Sequence, residues 1–339
     1  MRIIRGFQSF PPEAPSSVVA LGAFDGIHLA HQKILDVAVS RARSVGAQAL
    51  VCTFDPHPLQ VLRPEQAPPP ISTLDERLAL IARHGIDTTV VIPFTREFSQ
   101  VEPEAFVKDV LLDRLHAREI VVGFNHTFGR GARGDARLLE SLAARLGFVA
   151  HVIPALTVGG VTVSSSAIRE ALRAGDVATA RRFLGRPYTI RGTVARGAGR
   201  GRQLGFPTAN IKPDRPLTLA TGVYAGYALV GDEAALIAEP GVDRGPGEKV
   251  RSGASAGTGA AQAGVVASHK TVVNIGYRPT FGENEYWIEA YIIDFTGDIY
   301  DQSIAIALTG RIREERKFSD GEALRHQISA DIAAAAAML

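Results

Sequence analysis

The chain has 339 residues, of which 46% are hydrophobic and 21% are charged, as is typical of a soluble globular protein with two domains. The formal net charge of +2 gives no electrostatic argument for a nucleic-acid or membrane partner. No apolar run approaches the roughly 18 residues that a membrane-spanning helix needs, and no signal core follows Met1, so we expect a cytoplasmic enzyme. The single cysteine, Cys52, excludes an internal disulfide, and its apolar neighbours favour a core position.

Strands and helices alternate through the first half of the sequence. Short apolar runs predict the strands, and the stretches between them have helical periodicity. The predicted strands are Ser16–Gly22, Ala47–Phe54, Thr88–Ile92, Glu119–Val122 and Phe148–Ile153, and the predicted helices are His31–Val45, Leu74–His84, Pro103–Leu115, Leu138–Leu146, Ala167–Ala174 and Val177–Phe183. This alternation is typical of an α/β domain with a parallel sheet covered on both faces, which binds ligands at the carboxyl ends of its strands.

After Gly185 the sequence becomes rich in β-strand residues. The predicted strands are Tyr188–Val194, Val223–Val230, Thr271–Ile275, Trp287–Asp294 and Ser303–Leu308, and a final helix runs from about Glu322 through Ala333–Ala337. Short strands separated by glycine and proline predict a small barrel or sandwich. We therefore expect two domains, residues 1–185 and 186–339. The Ala- and Gly-rich residues 233–268 are predicted to form a flexible insertion between two strands.

The loop that follows the first strand contains two histidines at the start of a helix. His28 and His31 are three residues apart and share a helix face, and Gly22, Phe24 and Asp25 precede them. Two imidazoles beside the free N–H groups of a helix start form a site for phosphate. Either histidine alone is more often a partly buried core residue, but the surrounding glycines and aspartate favour a functional site.

Two further loops follow the second and fourth predicted strands. In the first, Asp55 leads into His57, which lies between two prolines; by itself this pattern also fits a rigid turn. The second loop contains Asn125 and a G-x-G-x-x-G pattern at residues 129–134. We reject that pattern as a dinucleotide fingerprint, because it follows the wrong strand and no acidic residue ends the next strand.

A serine-rich segment, residues 164–166, opens a predicted helix. A helix cap explains one serine such as Ser164. Capping does not explain Arg169, because a cation near a helix N-terminus is disfavoured unless an anion is present. The segment is therefore a candidate for binding phosphate.

These four segments together resemble the bacterial bifunctional riboflavin kinase/FAD synthetases. The matching runs are G-x-F-D-G-x-H, T-F-D-P-H-P, G-F-N-x-T-F-G and S-S-S-x-I-R. The resemblance implies that the first half is a Rossmann-like nucleotidyltransferase domain, in which the FMN phosphate attacks the α-phosphate of ATP and pyrophosphate leaves. It also implies that His28 and His31 are catalytic and that Asp55 and His57 shape the flavin site. The residues that it implies at the ATP site are Gly22, Phe24, Asp25, His28, His31, Asn125, Ser164 and Arg169.

Two positions depart from the family's pattern. Ala30 stands where glycine is usual, and its methyl group is expected to crowd a nucleotide at the helix start. His126 stands where an aromatic residue is common. These departures leave open the alternative of a riboflavin kinase whose adenylyltransferase domain is weakened.

The second domain begins with a glycine-rich loop that includes Gly199 and Arg202. Backbone amides and cations in such a loop can hold phosphates, although the loop lacks the Lys-Ser/Thr ending of a P-loop. Thr208 and Asn210 follow on an extended segment and offer oxygen ligands of the kind that Mg²⁺ prefers. The loop alone would also fit an ordinary Gly/Pro connection followed by a polar strand.

A carboxylate and two aromatic residues lie on one face of a later predicted strand. The two-residue period places Trp287, Glu289 and Tyr291 opposite the aliphatic face. Glu289 in that position can serve as a general base. The competing interpretation is an ordinary solvent-facing residue on a half-exposed strand.

The second half resembles the riboflavin kinase domain of the same family, a six-stranded barrel. The matching runs are G-x-x-x-G-R-x-L-G-F-P-T-A-N, G-V-Y-A-G, N-I-G-x-R-P-T-F-G and E-x-x-I-x-D-F-x-G-D-x-Y. The resemblance implies that Thr208 and Asn210 hold Mg²⁺ and ATP and that Glu289 takes the proton from the riboflavin 5′-hydroxyl. It also places Arg313 and Glu315 near the flavin.

The full-length resemblance therefore predicts an enzyme that converts riboflavin to FMN and FMN to FAD, with ATP and Mg²⁺ at both steps. Riboflavin, FMN and ATP are then its partners. Two alternatives of other kinds remain at this point: a flavin- or nucleotide-binding protein without turnover, and an adenylyltransferase for another small substrate. The second of these leaves the β-rich half unexplained.

Overall fold

The structure is a computed structural model that describes residues 1–197, 201, 205–231, 268–280 and 283–339, the side chains of 278–280 and 283–285 excepted. The predicted insertion therefore lies outside the described residues, except for Ser268, which begins a strand. The chain forms two compact units, one of residues 1–68 and 72–165 and the other of residues 69–71 and 166–339. The units divide the chain at Ser165, whereas the domain boundary at Gly185 stays a prediction.

The first unit contains a six-stranded parallel sheet with helices on both faces, which confirms the predicted α/β fold. Its strands are β1 Arg2–Arg5, β2 Ser17–Leu21, β3 Gln48–Asp55, β4 Thr88–Pro93, β5 Ala117–Gly123 and β6 Val149–Ile153, followed by a small hairpin of β7 Thr157–Val158 and β8 Val161–Thr162. The strand order in the sheet is β1-β4-β3-β2-β5-β6. Strand β1 lies at an edge beside β4 and was not predicted.

Five α-helical segments and several short 3-10 turns connect these strands. The α-helical segments are α1 Leu29–Val45, α2 Pro58–Leu62, α3 Leu74–Arg83, α4 Pro103–Ala105, which continues as a π-helix over Phe106–Leu112, and α5 Ala136–Leu146. Apolar side chains fill both faces of the sheet, since alternate residues of β2 belong to two different core clusters. Cys52 is fully buried in one of these clusters, as expected, and burial raises the pKa of its thiol.

The second unit is built on a closed barrel of six antiparallel strands, which confirms the predicted barrel. Its strands are β9 Tyr188–Ala195, β10 Ala209–Pro213, β11 Gly222–Val230, β12 Ser268–Thr280, β13 Glu283–Ile292 and β14 Ser303–Arg313. Around the barrel the order is β10-β13-β12-β11-β14-β9. Apolar side chains of the strands are buried in the core of the barrel, for example those of Val273, Ile288 and Ala290.

The described residues of the second unit include the helices α6 Ser165–Arg173, α7 Val177–Leu184 and the C-terminal α8 Gly321–Met338. The Leu172 carbonyl of α6 accepts a hydrogen bond of 2.9 Å from Ala220 N, which ties α6 to the segment before β11. Helix α8 packs through Ala335 on Val223 and Val272. Among the described residues, none of the helices combines the length and the apolar character that a bilayer crossing requires.

Candidate active sites

The strand order places a crevice at the carboxyl ends of β2 and β5. The chain runs from β2 to β3 and β4 on one side of the sheet, and β5 then lies on the other side of β2. Ligands of open α/β sheets bind where the strand order reverses in this way. The loop that begins at Gly22 follows β2, and the loop that contains Asn125 follows β5. Two of the predicted binding loops therefore meet at this crevice.

Hydrogen bonds to Ser72 hold the β2–α1 loop in place. The buried carboxylate of Asp25 accepts them from Ser72 N at 3.1 Å and from Ser72 Oγ at 3.3 Å, and Gly26 N donates to Ser72 Oγ at 3.0 Å. Phe24 is fully buried with a φ of 54°, a conformation that is rare for a bulky residue. Backbone strain of this kind is typical of functional loops.

The two histidines of this loop stack at the start of α1. Their ring centroids are 3.6 Å apart, and His28 caps the helix by accepting a hydrogen bond of 3.2 Å from His31 N. Within the described residues, the buried Nδ1 atom of His31 has no hydrogen-bond partner. Burial, His28 and the positive charge of Arg77 hold the pKa of His31 well below its usual value. His31 is therefore neutral near pH 7 and has an unused polar atom at the helix start.

The second predicted loop contains a capped helix start. Asp55 ends β3 and is partly exposed, and His57 caps α2. His57 Nδ1 accepts a hydrogen bond of 3.2 Å from Leu59 N, and Gln60 Oε1 accepts one of 3.0 Å from His57 N. The structure thus gives His57 a capping role that the sequence did not predict, beside the flavin role that the resemblance implies.

The loop after β5 exposes one side chain and buries its neighbour. Asn125 is exposed, and its role at the ATP site stays a prediction. Within the described residues, His126 Nε2 is buried without a hydrogen-bond partner, and the ring lies nearly parallel to Phe128 at a centroid distance of 6.1 Å. Burial lowers the pKa of His126 to about 4. His126 is therefore an uncharged, aromatic-like residue at neutral pH.

The serine-rich segment contacts the β2–α1 loop through a serine that was not selected from the sequence. Ser164 immediately precedes α6, and Ser165 Oγ donates a hydrogen bond of 3.1 Å to the Asp25 carbonyl. Arg169 belongs to the second unit, is buried, and donates from Nε to the Pro69 carbonyl at 2.9 Å. The sequence suggested an anion as the partner of Arg169. In the structure, the Pro69 carbonyl oxygen accepts one of the hydrogen bonds of its guanidinium.

Sequence reasoning also missed Arg77, a buried arginine of α3. Its Nη1 atom donates to the carbonyl of Ala23, beside Gly22, at 2.6 Å. The only sequence signal was a cation in the first turn of a predicted helix, the same signal that drew attention to Arg169.

In the barrel, three polar residues form a row across neighbouring strands. Glu289 of β13 pairs in register with Asn210 of β10 on one side and with Asn274 of β12 on the other. Opposite residues of an antiparallel pair point to the same face, with Cβ atoms about 5 Å apart. Ile288 and Ala290 are buried in the barrel, so the half-buried Glu289 lies on its outer face.

Two glycines allow backbone to lie directly against Thr208 and Asn210. A side chain at Gly197 would overlap the Asn210 amide, and a Cβ at Gly201 would lie 2.8 Å from Thr208 Oγ1. Asn210 is nine-tenths buried, and its Oδ1 atom has no hydrogen-bond partner in the part of the chain that the structure describes. A buried amide oxygen without a partner fits a ligand position for Mg²⁺. Gly199 and Arg202 lie outside the described residues.

The two predicted flavin residues of the barrel lie near the end of β14. Arg313 forms a forked ion pair with Asp331 of α8, with Nε 2.9 Å from Oδ1 and Nη2 2.8 Å from Oδ2. Glu315 lies against β12, because a Cβ at Gly276 would be 2.8 Å from its Oε1 atom. Arg313 thus has a structural partner that the sequence did not reveal.

Comparisons with known proteins cover both units. The FAD synthetase family model matches residues 10–167, and the riboflavin kinase family model matches residues 184–339. The bifunctional riboflavin kinase/FMN adenylyltransferase of Pseudomonas fluorescens is 32% identical over 339 residues, which are 100% of this chain and 98% of that protein. The protein of the same name from Bacillus subtilis (strain 168) is 34% identical over 325 residues, which are 94% of this chain and 91% of that protein.

A solved structure also resembles the whole chain. A crystal structure described as a macrolide-efflux protein from Streptococcus pneumoniae aligns with a TM-score of 0.80 and 26% sequence identity. The alignment covers 99% of both chains. The two-unit architecture is therefore shared with an experimentally determined structure.

Proposed function

Because the chain belongs to the family of bifunctional riboflavin kinase/FMN adenylyltransferases, it is an enzyme with both activities, and we propose that ATP and Mg²⁺ serve both reactions. The second unit contains the riboflavin kinase match and the first unit most of the FAD synthetase match. Riboflavin is phosphorylated to FMN, and FMN is adenylylated to FAD. We keep the functional boundary at Gly185 and a cytoplasmic location as parts of the proposal.

In the kinase reaction, Glu289 accepts the proton of the riboflavin 5′-hydroxyl. The hydroxyl oxygen bonds to the γ-phosphorus of ATP, the bond from that phosphorus to the β,γ-bridging oxygen breaks, and ADP leaves. The observation that carries this proposal is the position of Glu289 opposite Asn210, whose buried Oδ1 atom has no partner among the described residues. A proton acceptor and a cation ligand thus occupy facing positions on two paired strands.

Thr208 and Asn210 are the residues that would hold Mg²⁺. When bound, the ion neutralises charge on the phosphoryl group that is transferred. Gly197 and Gly201 support this assignment, because both let backbone lie against these two oxygen-bearing side chains. The loop that contains Gly199 and Arg202 is proposed to bind the ATP phosphates, and Arg313 and Glu315 to contact the flavin.

In the adenylyl transfer, an oxygen of the FMN phosphate bonds to the α-phosphorus of ATP. The bond to the α,β-bridging oxygen breaks and pyrophosphate leaves, so the enzyme mainly positions groups and neutralises charge. The N–H groups at the start of α1 and the stacked rings of His28 and His31 support a phosphate site there. The further residues proposed for this ATP site are Gly22, Phe24, Asp25, Asn125, Ser164 and Arg169, with Asp55 and His57 at the flavin.

A time course with the purified chain tests the proposal. Riboflavin, ATP and Mg²⁺ are incubated with the enzyme, and riboflavin, FMN and FAD are separated by chromatography. FMN that appears first and FAD that follows is the expected result. FMN that accumulates without FAD would support the alternative of a kinase with an inactive first unit, and no product from folded protein would support a binding protein without turnover. Omission of Mg²⁺ is expected to stop both steps.

A further inference from the structure

Arg77 is a buried cation in an unfavourable position of α3. Thr73 caps this helix, and Arg77 N donates to the Thr73 carbonyl at 3.0 Å, so Arg77 lies in the first turn. The helix dipole disfavours a cation there, and burial lowers the pKa of the guanidinium. Only 6% of the residue is exposed. A buried arginine in this position destabilises the fold unless specific partners compensate its charge.

The partners of Arg77 belong to two strand ends at one edge of the sheet. Nη1 donates to the Ala23 carbonyl after β2 at 2.6 Å and to the Phe54 carbonyl of β3 at 3.2 Å. Nη2 lies 3.7 Å from Oδ1 of Asp55. The guanidinium therefore connects the loop that carries the two stacked histidines to the loop that carries Asp55 and His57.

The charge of Arg77 also acts on His31. Among the described residues, the groups whose charge acts on His31 are the His28 ring, stacked at 3.6 Å, and Arg77 of α3. Both lower the pKa of His31, in addition to the effect of burial. The Nε atom of Arg77 is buried and has no hydrogen-bond partner among the described residues, as is the case for Nδ1 of His31. Each of the two residues thus keeps one buried nitrogen without a partner within the described part of the chain.

We infer that Arg77 is a positioning residue for adenylyl transfer, which holds the ATP loop and the flavin loop of the first unit at a fixed separation. The inference rests on the proposed function of that unit. In-line attack of the FMN phosphate on ATP requires both substrates at a defined distance. One rigid guanidinium that contacts the Ala23 carbonyl and the end of β3, from which the flavin loop begins, sets it. Lysine cannot replace this planar fork, because its ammonium group is a single point charge.

Two variants and a matched control test the inference in the full-length enzyme. Arg77→Lys keeps the charge and loses the fork, and Arg77→Met loses both. Arg83→Met changes an exposed arginine of the same helix. For each protein we would measure kcat and KM of FAD formation from FMN, its pH dependence, riboflavin phosphorylation in the same sample, and thermal unfolding by circular dichroism.

Both Arg77 variants are expected to lose about 10²-fold in kcat for adenylyl transfer, the scale of a 1 Å misplacement. Riboflavin phosphorylation and the Arg83→Met control should match the wild type. The inflection of kcat/KM that reports His31 should move to higher pH in Arg77→Met only, because removing the cation makes protonation easier. A purely structural role would lower thermal stability and both activities together, and it would not lower kcat of adenylyl transfer alone.

Three results would overturn the inference. They are a wild-type kcat in Arg77→Lys, a wild-type kcat in Arg77→Met, or loss of the folded first unit in both variants. A wild-type enzyme that makes no FAD from FMN would instead refute the adenylyltransferase function, and the inference with it. Wild-type turnover together with active variants would refute only the role of Arg77.

Discussion

Asn210 of β10 lies directly opposite Glu289 of β13, and the buried Oδ1 atom of Asn210 has no hydrogen-bond partner among the described residues. The ladder fixes their separation, since opposite Cβ atoms of an antiparallel pair are about 5 Å apart. The register therefore places the backbones of the proposed cation ligand and the proposed base side by side. The predictions for the kinase follow from this pair.

Substitution of Gly197 by alanine should damage the kinase through Asn210. A Cβ at residue 197 would overlap the Asn210 amide, so one of the two segments must move. We expect a loss of about 10²-fold in riboflavin phosphorylation, as for a 1 Å displacement of a catalytic group, and a higher Mg²⁺ requirement. Titration of FMN formation with Mg²⁺ measures both effects.

The control for this prediction is a double-mutant cycle with Asn210→Ala. If Gly197→Ala acts through Asn210, the two losses should not add, because they remove the same interaction. Additive losses would contradict the proposed contact. FAD formation from FMN should be unchanged in all three variants.

Substitution of His126 by phenylalanine should make the first unit more resistant to acid. The ordinary pKa of histidine, 6.5, falls to about 4 in the folded protein because the ring is buried. Well above pH 6.5, His126 is neutral in both the folded and the unfolded chain, so it does not make the unfolding free energy depend on pH. As the pH falls from 6.5 towards 4, the unfolded chain gains a proton that the folded chain cannot bind, and stability is lost.

Denaturant unfolding measures this effect in the wild type and in His126→Phe. Between about pH 7 and about pH 5, the wild type should lose roughly 2 kcal/mol more unfolding free energy than the variant. Phenylalanine keeps an aromatic ring against Phe128, so the comparison mainly removes the titratable group. Equal losses in the two proteins would contradict the buried, neutral state of His126.

Asp331→Asn should destabilise the barrel unit and weaken riboflavin binding. The carboxylate is almost fully buried and receives both arms of the Arg313 guanidinium. Removing one partner of a buried pair leaves the other uncompensated, at a cost on the order of 3 kcal/mol. Since Arg313 is proposed to contact the flavin, KM for riboflavin should rise while KM for ATP stays unchanged.

Thermal unfolding and steady-state kinetics check this prediction, with Glu322→Gln on the exposed first turn of α8 as the control. A stable Asp331→Asn protein would show that the ion pair contributes little. An unchanged KM for riboflavin would argue against a flavin role for Arg313.

The sequence predicted the element types well because both halves have regular periodicity. It identified the alternation that forms the parallel sheet and the short strands that form the barrel. Helix ends were less accurate: α1 begins at Leu29 rather than at His31, because His28 supplies the cap. The predicted helix Pro103–Leu115 is largely a π-helix over Phe106–Leu112. Hydrophobic spacing in the sequence does not distinguish a π-helix from an α-helix.

The geometry of the sites depended on pairings between distant parts of the chain. Asn274 was visible within a motif, but only the β12–β13 register shows that it lies opposite Glu289. Arg77 reaches Ala23 and Phe54 through contacts across more than 20 residues, which no local pattern encodes. Ser165 was not selected as a site residue, yet its hydroxyl bonds to the Asp25 carbonyl, a contact across 140 residues that no local pattern encodes.

The most direct test of two separate activities on one chain is a crossed assay of Glu289→Gln. Given riboflavin and ATP, the variant should lose 10²- to 10⁴-fold or so in FMN formation, because glutamine cannot accept the proton. Given FMN and ATP, the same sample should form FAD at the wild-type rate. Wild-type FMN formation would contradict the role of Glu289, and equal loss of both products would contradict the separation of the two sites.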